Sequence, residues 1–222
     1  MIRAGDIFTD DNGDDYEVGK FLGDGGFGVV HLLTRLSDGC QFVAKAPLNT
    51  DKVKLKKLEN EYGVLKKLEE KGVSNVVRAE ALVYFQISSG KIPILVMQIA
   101  QGVELVNHLN EQISPVDVRE ILLKISRSMA EVHKAGYIHR DLKPENIFID
   151  DLGGKNEITI IDFGIAAIKD NENTYAITQS VAYSKFWCPP EQRDGTVSIG
   201  NDIFSLGAVG YALLIPGTEL KR

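Results

Sequence analysis

Two cysteines in 222 residues, Cys40 and Cys188, lie far apart and in no C-x-x-C or metal-spaced cluster, which excludes a disulfide framework or a zinc site. Long apolar runs are missing too. The longest candidate, Leu206 to Ile215, is too short to span a bilayer, and the opening MIRAGDIFTD lacks the basic start and apolar stretch of a signal peptide. The expected location is therefore cytoplasmic, with no membrane partner. Positive charge is in deficit, with a formal net charge of -6, so a general nucleic-acid binder is not expected. Internal repeats, low-complexity tracts and long Pro, Gly or Ser linkers are absent, so nothing marks a conventional domain boundary. What is present, 44% hydrophobic and 25% charged residues, is enough to bury a sizeable core.

The pattern changes midway along the chain. Up to about Gln98 the segments FLGDGGFGVVHLL, CQFVAKA, ALVYFQI and IPILVMQI predict short strands, interrupted by one charged helical stretch. Beyond that point helices dominate. Ser114 and Pro115 open a helix in which Val118, Ile121, Leu122, Ile125, Met129 and Val132 recur at helical spacing until Gly136. The expected fold class is α+β, with a strand-rich lobe and a mostly helical lobe joined near Gln98 to Gly102 around a cleft.

Three sets of residues carry candidate chemistry. The run Gly23-Asp24-Gly25-Gly26-Phe27-Gly28 would let backbone amides approach a phosphate chain closely; a hairpin turn is the competing reading. It continues into a strand rather than opening a helix, against dinucleotide binding, and it lacks the GK[ST] ending of a Walker loop. Lys45 stands among apolar neighbours and either reaches solvent or needs a partner. Glu61 shares a helical stripe with Leu58, Leu65 and Leu68, so a Lys45–Glu61 ion pair accounts for both charges, while Glu59 and Glu69 can face water. Finally, Tyr137 to Asp150 places His139, Arg140, Asp141, Lys143 and Asn146 between a helix and a short apolar strand, and Asp162-Phe163-Gly164 follows a second strand. Such a set offers a carboxylate base, a lysine for phosphoryl charge and hard oxygen ligands for magnesium; ordinary loop solvation is the bland alternative.

In this combination the sequence resembles the eukaryotic-type serine/threonine protein kinase family: HRDLKPEN from His139, DFG from Asp162, the glycine loop, the Lys45 and Glu61 candidates, and Asp202 to Gly207 in the place of D-x-W-S-L-G. The resemblance implies one kinase domain over 1–222, with an N-lobe of about 1–98, a hinge of about 98–102 and a C-lobe of about 103–222. It implies that Asp141 is the catalytic base, that Lys143 stabilises the transferred phosphoryl group, and that Lys45 holds the α- and β-phosphates of ATP. Asn146 and Asp162 would hold magnesium, with manganese as an alternative. By the same resemblance Met97 is the gatekeeper, Gln98 to Ala100 meet adenine, Val30, Val43 and Phe148 sandwich its ring, and Glu104 reaches the ribose; core packing is the other reading of the three apolar residues.

Lys143 further implies serine/threonine acceptors on protein substrates. Arg140 is implied to receive a phosphate from Thr174, Thr178 or Ser180, and Ser184 stands for the threonine that contacts the catalytic aspartate. Val43 replaces the alanine of A-x-K, and Cys188-Pro189-Pro190-Glu191 departs from A-P-E. The chain stops at Arg222, so a C-lobe lacking its terminal helices is expected. That leaves room for self-association, for a completing partner, or for a binding or scaffolding role instead of catalysis.

Overall fold

In the computed structural model, residues 2–25, 28–88, 90–169, 175–176 and 184–217 are described. The chain divides into two compact units, one made of Met1–Lys67 with Val77–Ile99, the other of Leu68–Val76 with Ala100–Arg222.

The first unit is built on an antiparallel sheet of β1 (Ile7–Thr9), β2 (Asp15–Gly25), β3 (Gly28–Arg35), β4 (Gln41–Ala46), β5 (Ala79–Ile87) and β6 (Gly90–Met97), ordered β1-β2-β3-β4-β6-β5. Alternation decides which face is covered. In β5, Ala79, Ala81 and Val83 are buried while Glu80 and Tyr84 are exposed. Ala81 and Val83 join Val18, Leu33, Phe42, Ala44, Ile94 and Val96 in the core of this unit. Strand β6, flanked by β4 and β5, is buried continuously from Ile92 to Met97, which is why it reads as an unbroken apolar run. The N-terminal residues complete the same core. Phe8 stacks on Tyr16 at 5.7 Å, Tyr16 meets Phe42 edge-on at 5.8 Å, and Ile2 is buried beside them.

Val43 and Lys45 alternate with Ala44 and so leave the sheet on the face opposite that core. Helix α1 (Lys52–Glu70) starts where Asp51 Oδ1 accepts the Val53 and Lys54 amides at 2.8 and 3.3 Å. It ends at Gly72, whose φ of +69° fits a glycine after a helix. Leu58, Glu61, Leu65 and Leu68 are all buried, as their spacing predicts, and Glu59 and Glu69 are exposed.

The second unit contains β7 (Val103–Glu104), α2 (Pro115–Lys134), β8 (Tyr137–Ile138), β9 (Ile147–Asp150), β10 (Glu157–Ile160), β11 (Ala167–Lys169), β12 (Tyr175–Ala176), α3 (Pro190–Arg193) and α4 (Ile199–Leu214). Its strands form two small antiparallel sheets, β10-β9-β7 and β12-β11-β8. Ser114 Oγ accepts the Asp117 amide at 3.1 Å and caps α2, with Pro115 at its first position. Val118, Ile121, Ile125, Met129 and Val132 are buried along it, whereas Leu122 is half-buried. A Cβ on Gly210 would come within 2.9 Å of Leu122, so the glycine lets α4 approach α2.

Helix α4 contains the apolar run from Leu206 to Leu214 and buries one side of it. Val209, Ala212 and Leu213 are buried, but Ile203, Phe204, Tyr211 and Leu214 are exposed, because α4 packs by one side against α2 and β8. Residues 68–76 tie into this unit by backbone pairing: the Ile160 amide donates to the Asn75 carbonyl at 2.8 Å, and Val76 bridges Ile160 in parallel. Together the units make an α+β architecture.

Candidate active site

In the first unit, Lys45 Nζ donates to Glu61 Oε2 at 2.8 Å and to Oε1 at 3.0 Å. Their side chains are 9% and 1% exposed, so both charges are removed from water and need this match. Val30 lies opposite Lys45 in the β3–β4 register, and Met97 lies opposite Val43 in β4–β6, which sets all four on one face of the sheet. Val30 and Val43 are half-buried and Met97 is buried.

The glycine run is a hairpin whose register pairs Gly23 with Val30, Asp24 with Val29 and Gly25 with Gly28; Gly26 and Phe27 lie outside the described residues. The turn reading and the phosphate reading are thus compatible. Gly28 has a further reason to be glycine: a Cβ there would collide with the Ala46 carbonyl of the neighbouring strand. At the end of β6 the exposed Gln98 donates its amide to the Arg78 carbonyl at 3.0 Å, and Ala100, already in the second unit, is half-buried.

In the second unit, three side chains converge on the Asp141 carboxylate. Ser184 Oγ donates to Oδ1 at 2.6 Å, while Lys143 Nζ and Asn146 Nδ2 donate to Oδ2 at 3.0 and 3.2 Å. Lys143 Nζ also donates to Ser184 Oγ at 3.0 Å, closing a triangle around Asp141. Each carboxylate oxygen can accept two bonds, so Oδ1 retains a lone pair for a further hydroxyl.

Behind this carboxylate the backbone is fixed by α4. Asp202, 1% exposed, accepts the amides of His139 and Arg140 at 2.9 and 2.8 Å and a bond from His133 Nε2 at 2.8 Å. His139 Nδ1 accepts the Asp141 amide at 3.2 Å, which leaves the ring proton on Nε2 to donate to the Ile161 carbonyl at 3.0 Å. Arg140 is 2% exposed and adopts φ +68°; burial lowers its guanidinium pKa, and the nearby Asp202 charge opposes that shift. Gln192 Nε2 donates to its carbonyl at 2.8 Å.

Asn146 and Asp162 supply hard oxygen atoms. Both hydrogen bonds from Asn146 Nδ2 run to Asp141, at 2.8 Å to the carbonyl and 3.2 Å to Oδ2, so its amide oxygen is the atom suited to a cation. The Ile161 amide donates to the Asn146 carbonyl at 2.9 Å, which ties the two segments together, and Asp162 stands at φ +65°. Among the described residues no three His, Cys, Asp or Glu side chains converge. An amide oxygen with one carboxylate fits magnesium, which keeps waters and substrate phosphates as its other ligands. Glu104 and Phe148 are cross-strand partners of β7 and β9, both half-buried; burial, and then the Glu145 charge, raise the Glu104 pKa.

Residues 16–221 match the protein kinase domain family. The chain belongs to that family. The kinase domain is 33% identical over 209 residues to serine/threonine-protein kinase PknB of Mycolicibacterium smegmatis, covering 90% of this chain and 32% of that one. It is 30% identical over 208 residues to a probable PknB of Bifidobacterium longum, covering 90% and 30%, and 30% identical over 211 residues to CBL-interacting protein kinase 21 of Oryza sativa subsp. japonica, covering 90% and 37%. The chain thus spans about a third of the length of these curated relatives. In fold it is similar to vaccinia related kinase 3, with a TM-score of 0.77 at 18% identity, covering 96% of this chain and 69% of that structure.

The kinase domain also contains contacts that sequence reasoning missed. Asp202 acts 62 and 63 residues away from the amides that it accepts, and His133 lies 69 residues from it; no local pattern links them. Gln192 likewise sits 52 residues from Arg140. Asp202 itself was marked by its place in the D-x-W-S-L-G resemblance, but nothing in the sequence marked its bonds, nor His133 and Gln192. Thr174, Thr178 and Ser180, the expected phosphate acceptors, lie outside the described residues.

Proposed function

We propose that residues 1–222 form the catalytic domain of an ATP- and magnesium-dependent kinase that phosphorylates serine or threonine hydroxyls of proteins, itself included. The N-lobe would be about 1–98, the hinge about 98–102 and the C-lobe about 103–222. The observation that carries this reading is the Asp141 carboxylate, 5% exposed and oriented by Ser184, Lys143 and Asn146. Asp141 would accept the proton as the acceptor oxygen forms its bond to the γ-phosphorus and the bond to the departing ADP oxygen breaks. Lys143 is placed to balance charge on the transferred group, and Ser184 to keep Oδ1 aimed. Lys45, fixed by Glu61, would hold the α- and β-phosphates. Asn146 and Asp162 would hold magnesium, with manganese as a substitute, which when bound neutralises phosphate charge.

Gly23 to Gly28 would cover the phosphates. Val30, Val43, Met97, Gln98, Ala100 and Phe148 would meet the adenine, and Glu104 the ribose. Among the described residues no helix is long and apolar enough to cross a membrane. A cytoplasmic site of action is proposed on the two free cysteines, Cys40 and Cys188, which suit a reducing compartment. The test is transfer of labelled γ-phosphate to the chain itself and to a generic basic protein, with magnesium and with chelator, comparing the parent with Asp141→Asn and Asp162→Ala. Transfer that depends on magnesium, appears as phosphoserine or phosphothreonine and is lost in both variants supports the reading. Undiminished transfer by Asp141→Asn sinks it.

A further inference from the structure

We infer that Gln192 is a positioning residue for Asp141, acting through the Arg140–Asp141 peptide; this rests on the reading of Asp141 as the catalytic base. Arg140 holds φ +68°, a left-handed conformation that residues with a Cβ adopt only where their surroundings impose it. Three side chains impose it here. Asp202 Oδ1 accepts the Arg140 amide at 2.8 Å, His139 Nδ1 accepts the Asp141 amide at 3.2 Å, and Gln192 Nε2 donates to the Arg140 carbonyl at 2.8 Å. The last two bonds grip opposite ends of a single peptide plane, the plane whose rotation swings the Cα–Cβ bond of Asp141. Gln192 makes the shorter of the two.

Burial argues in the same direction. Gln192 is 0% exposed, and while Nε2 is bonded, Oε1 has no hydrogen-bond partner among the described residues. A half-satisfied buried amide is a poor choice for stability alone, since an apolar side chain of similar volume would leave no orphaned oxygen. What the amide supplies, and a methionine cannot, is the donor to Arg140.

The segment that carries Gln192 starts at Ser184, which donates to Asp141 Oδ1 at 2.6 Å, and it is anchored midway where Ser205 Oγ donates to the Trp187 carbonyl at 2.7 Å. One stretch of chain therefore aims the carboxylate at its first residue and fixes the backbone beneath it at its ninth. Asp141 senses the placement of that stretch at two points.

The test is steady-state kinetics and thermal unfolding of Gln192→Met beside the parent chain and Asp141→Asn. The expected result is a kcat lowered on the order of tenfold to a hundredfold, the range that follows from sub-ångström to ångström misplacement of a reacting group, with KM for ATP and the unfolding midpoint essentially unchanged. An unchanged kcat in folded Gln192→Met overturns the inference. So does a kcat loss matched by a fall in the midpoint, which would make the role structural. Should Gln192→Met fail to fold, Gln192→Leu is measured in the same way, and failure of both assigns the residue to the fold. A parent chain without transfer removes the reading of Asp141 and this inference with it, whereas an active parent with an equally active Gln192→Met removes the inference alone.

Discussion

The two units stabilise their charged candidates in opposite ways. In the first, Lys45 and Glu61 meet directly, two long side chains carried by a strand and a helix and matched oxygen to nitrogen. In the second, Asp202 bonds not to a candidate side chain but to the backbone of His139 and Arg140, and Asp141 inherits its position from that backbone. An ion pair can be exchanged as a unit for apolar residues with little loss of stability. A carboxylate buried against backbone amides cannot, because the amides remain when it is gone. The first arrangement suits a contact that can form and break, the second a frame that should not move.

The sharpest way to break this contrast is Asp202→Ala. It orphans two buried amides and His133 together, and the expected loss is at least about 4.5 kcal/mol of stability in a denaturant titration, since each of the three bonds to a charged acceptor contributes roughly 1.5–3 kcal/mol. Next, Glu61→Leu alone should cost about 3 kcal/mol by stranding the Lys45 charge, while adding Lys45→Met should recover more than half of that loss. Phosphoryl transfer should be abolished in both the single and the double variant, so stability and activity separate. A double variant no more stable than the single one would mean that the pair is not the exchangeable unit described here.

Gly102→Ala probes the backbone of the second unit: at φ +82°, a Cβ would collide with the Ile149 carbonyl, and the expected cost is at least about 2 kcal/mol by thermal unfolding. The smallest effect concerns Glu131, whose carboxyl is held below the usual range by the Ser74 amide and, second, by its hydroxyl. Because the folded pKa is depressed, this stabilisation is complete above the ordinary glutamate range and disappears as pH falls through the lowered value. Ser74→Ala keeps the amide bond and should cost at most about 0.5 kcal/mol near neutral pH, with no difference from the parent in strong acid.

How much of this could be read in advance depended on the reach of each interaction. Strands β3 to β6, helix α1 with Glu61 inward, and the Ser114 cap of α2 are local patterns of side-chain period and turn chemistry, and they were legible. Lys45 and Glu61 could be paired in advance because a lone charge on each apolar face demanded a partner. Which side of α4 is exposed was not legible, since the helix is apolar nearly all round; the buried Asp202, Ser205, Val209, Ala212 and Leu213, with Gly210 against Leu122, show which side is covered. Gly28 was read through a phosphate loop or a hairpin turn, and neither reading foresaw its nearest constraint, the Ala46 carbonyl of the neighbouring strand. The frame behind Asp141 was legible only at Asp202, through its place in the D-x-W-S-L-G resemblance; its bonds were not, because Asp202, His133 and Gln192 reach groups 52 to 69 residues away and the backbone groups among them leave no mark on a side-chain pattern.

The pairing of residues 75 and 76 with Ile160 has a consequence for biosynthesis. Every residue of the first unit has been synthesised once Ile99 is added, yet residues 68–76, in the middle of that stretch, belong to the second. The Asn75 carbonyl and Val76 must wait until Ile160 leaves the ribosome. At a translation rate of roughly 5–20 residues per second the first sheet has seconds in which to form while this excursion still lacks its mate. Closing so long a loop comes late on entropic grounds too. During elongation, residues 68–76 are therefore the stretch of the early chain that a chaperone or protease would find open.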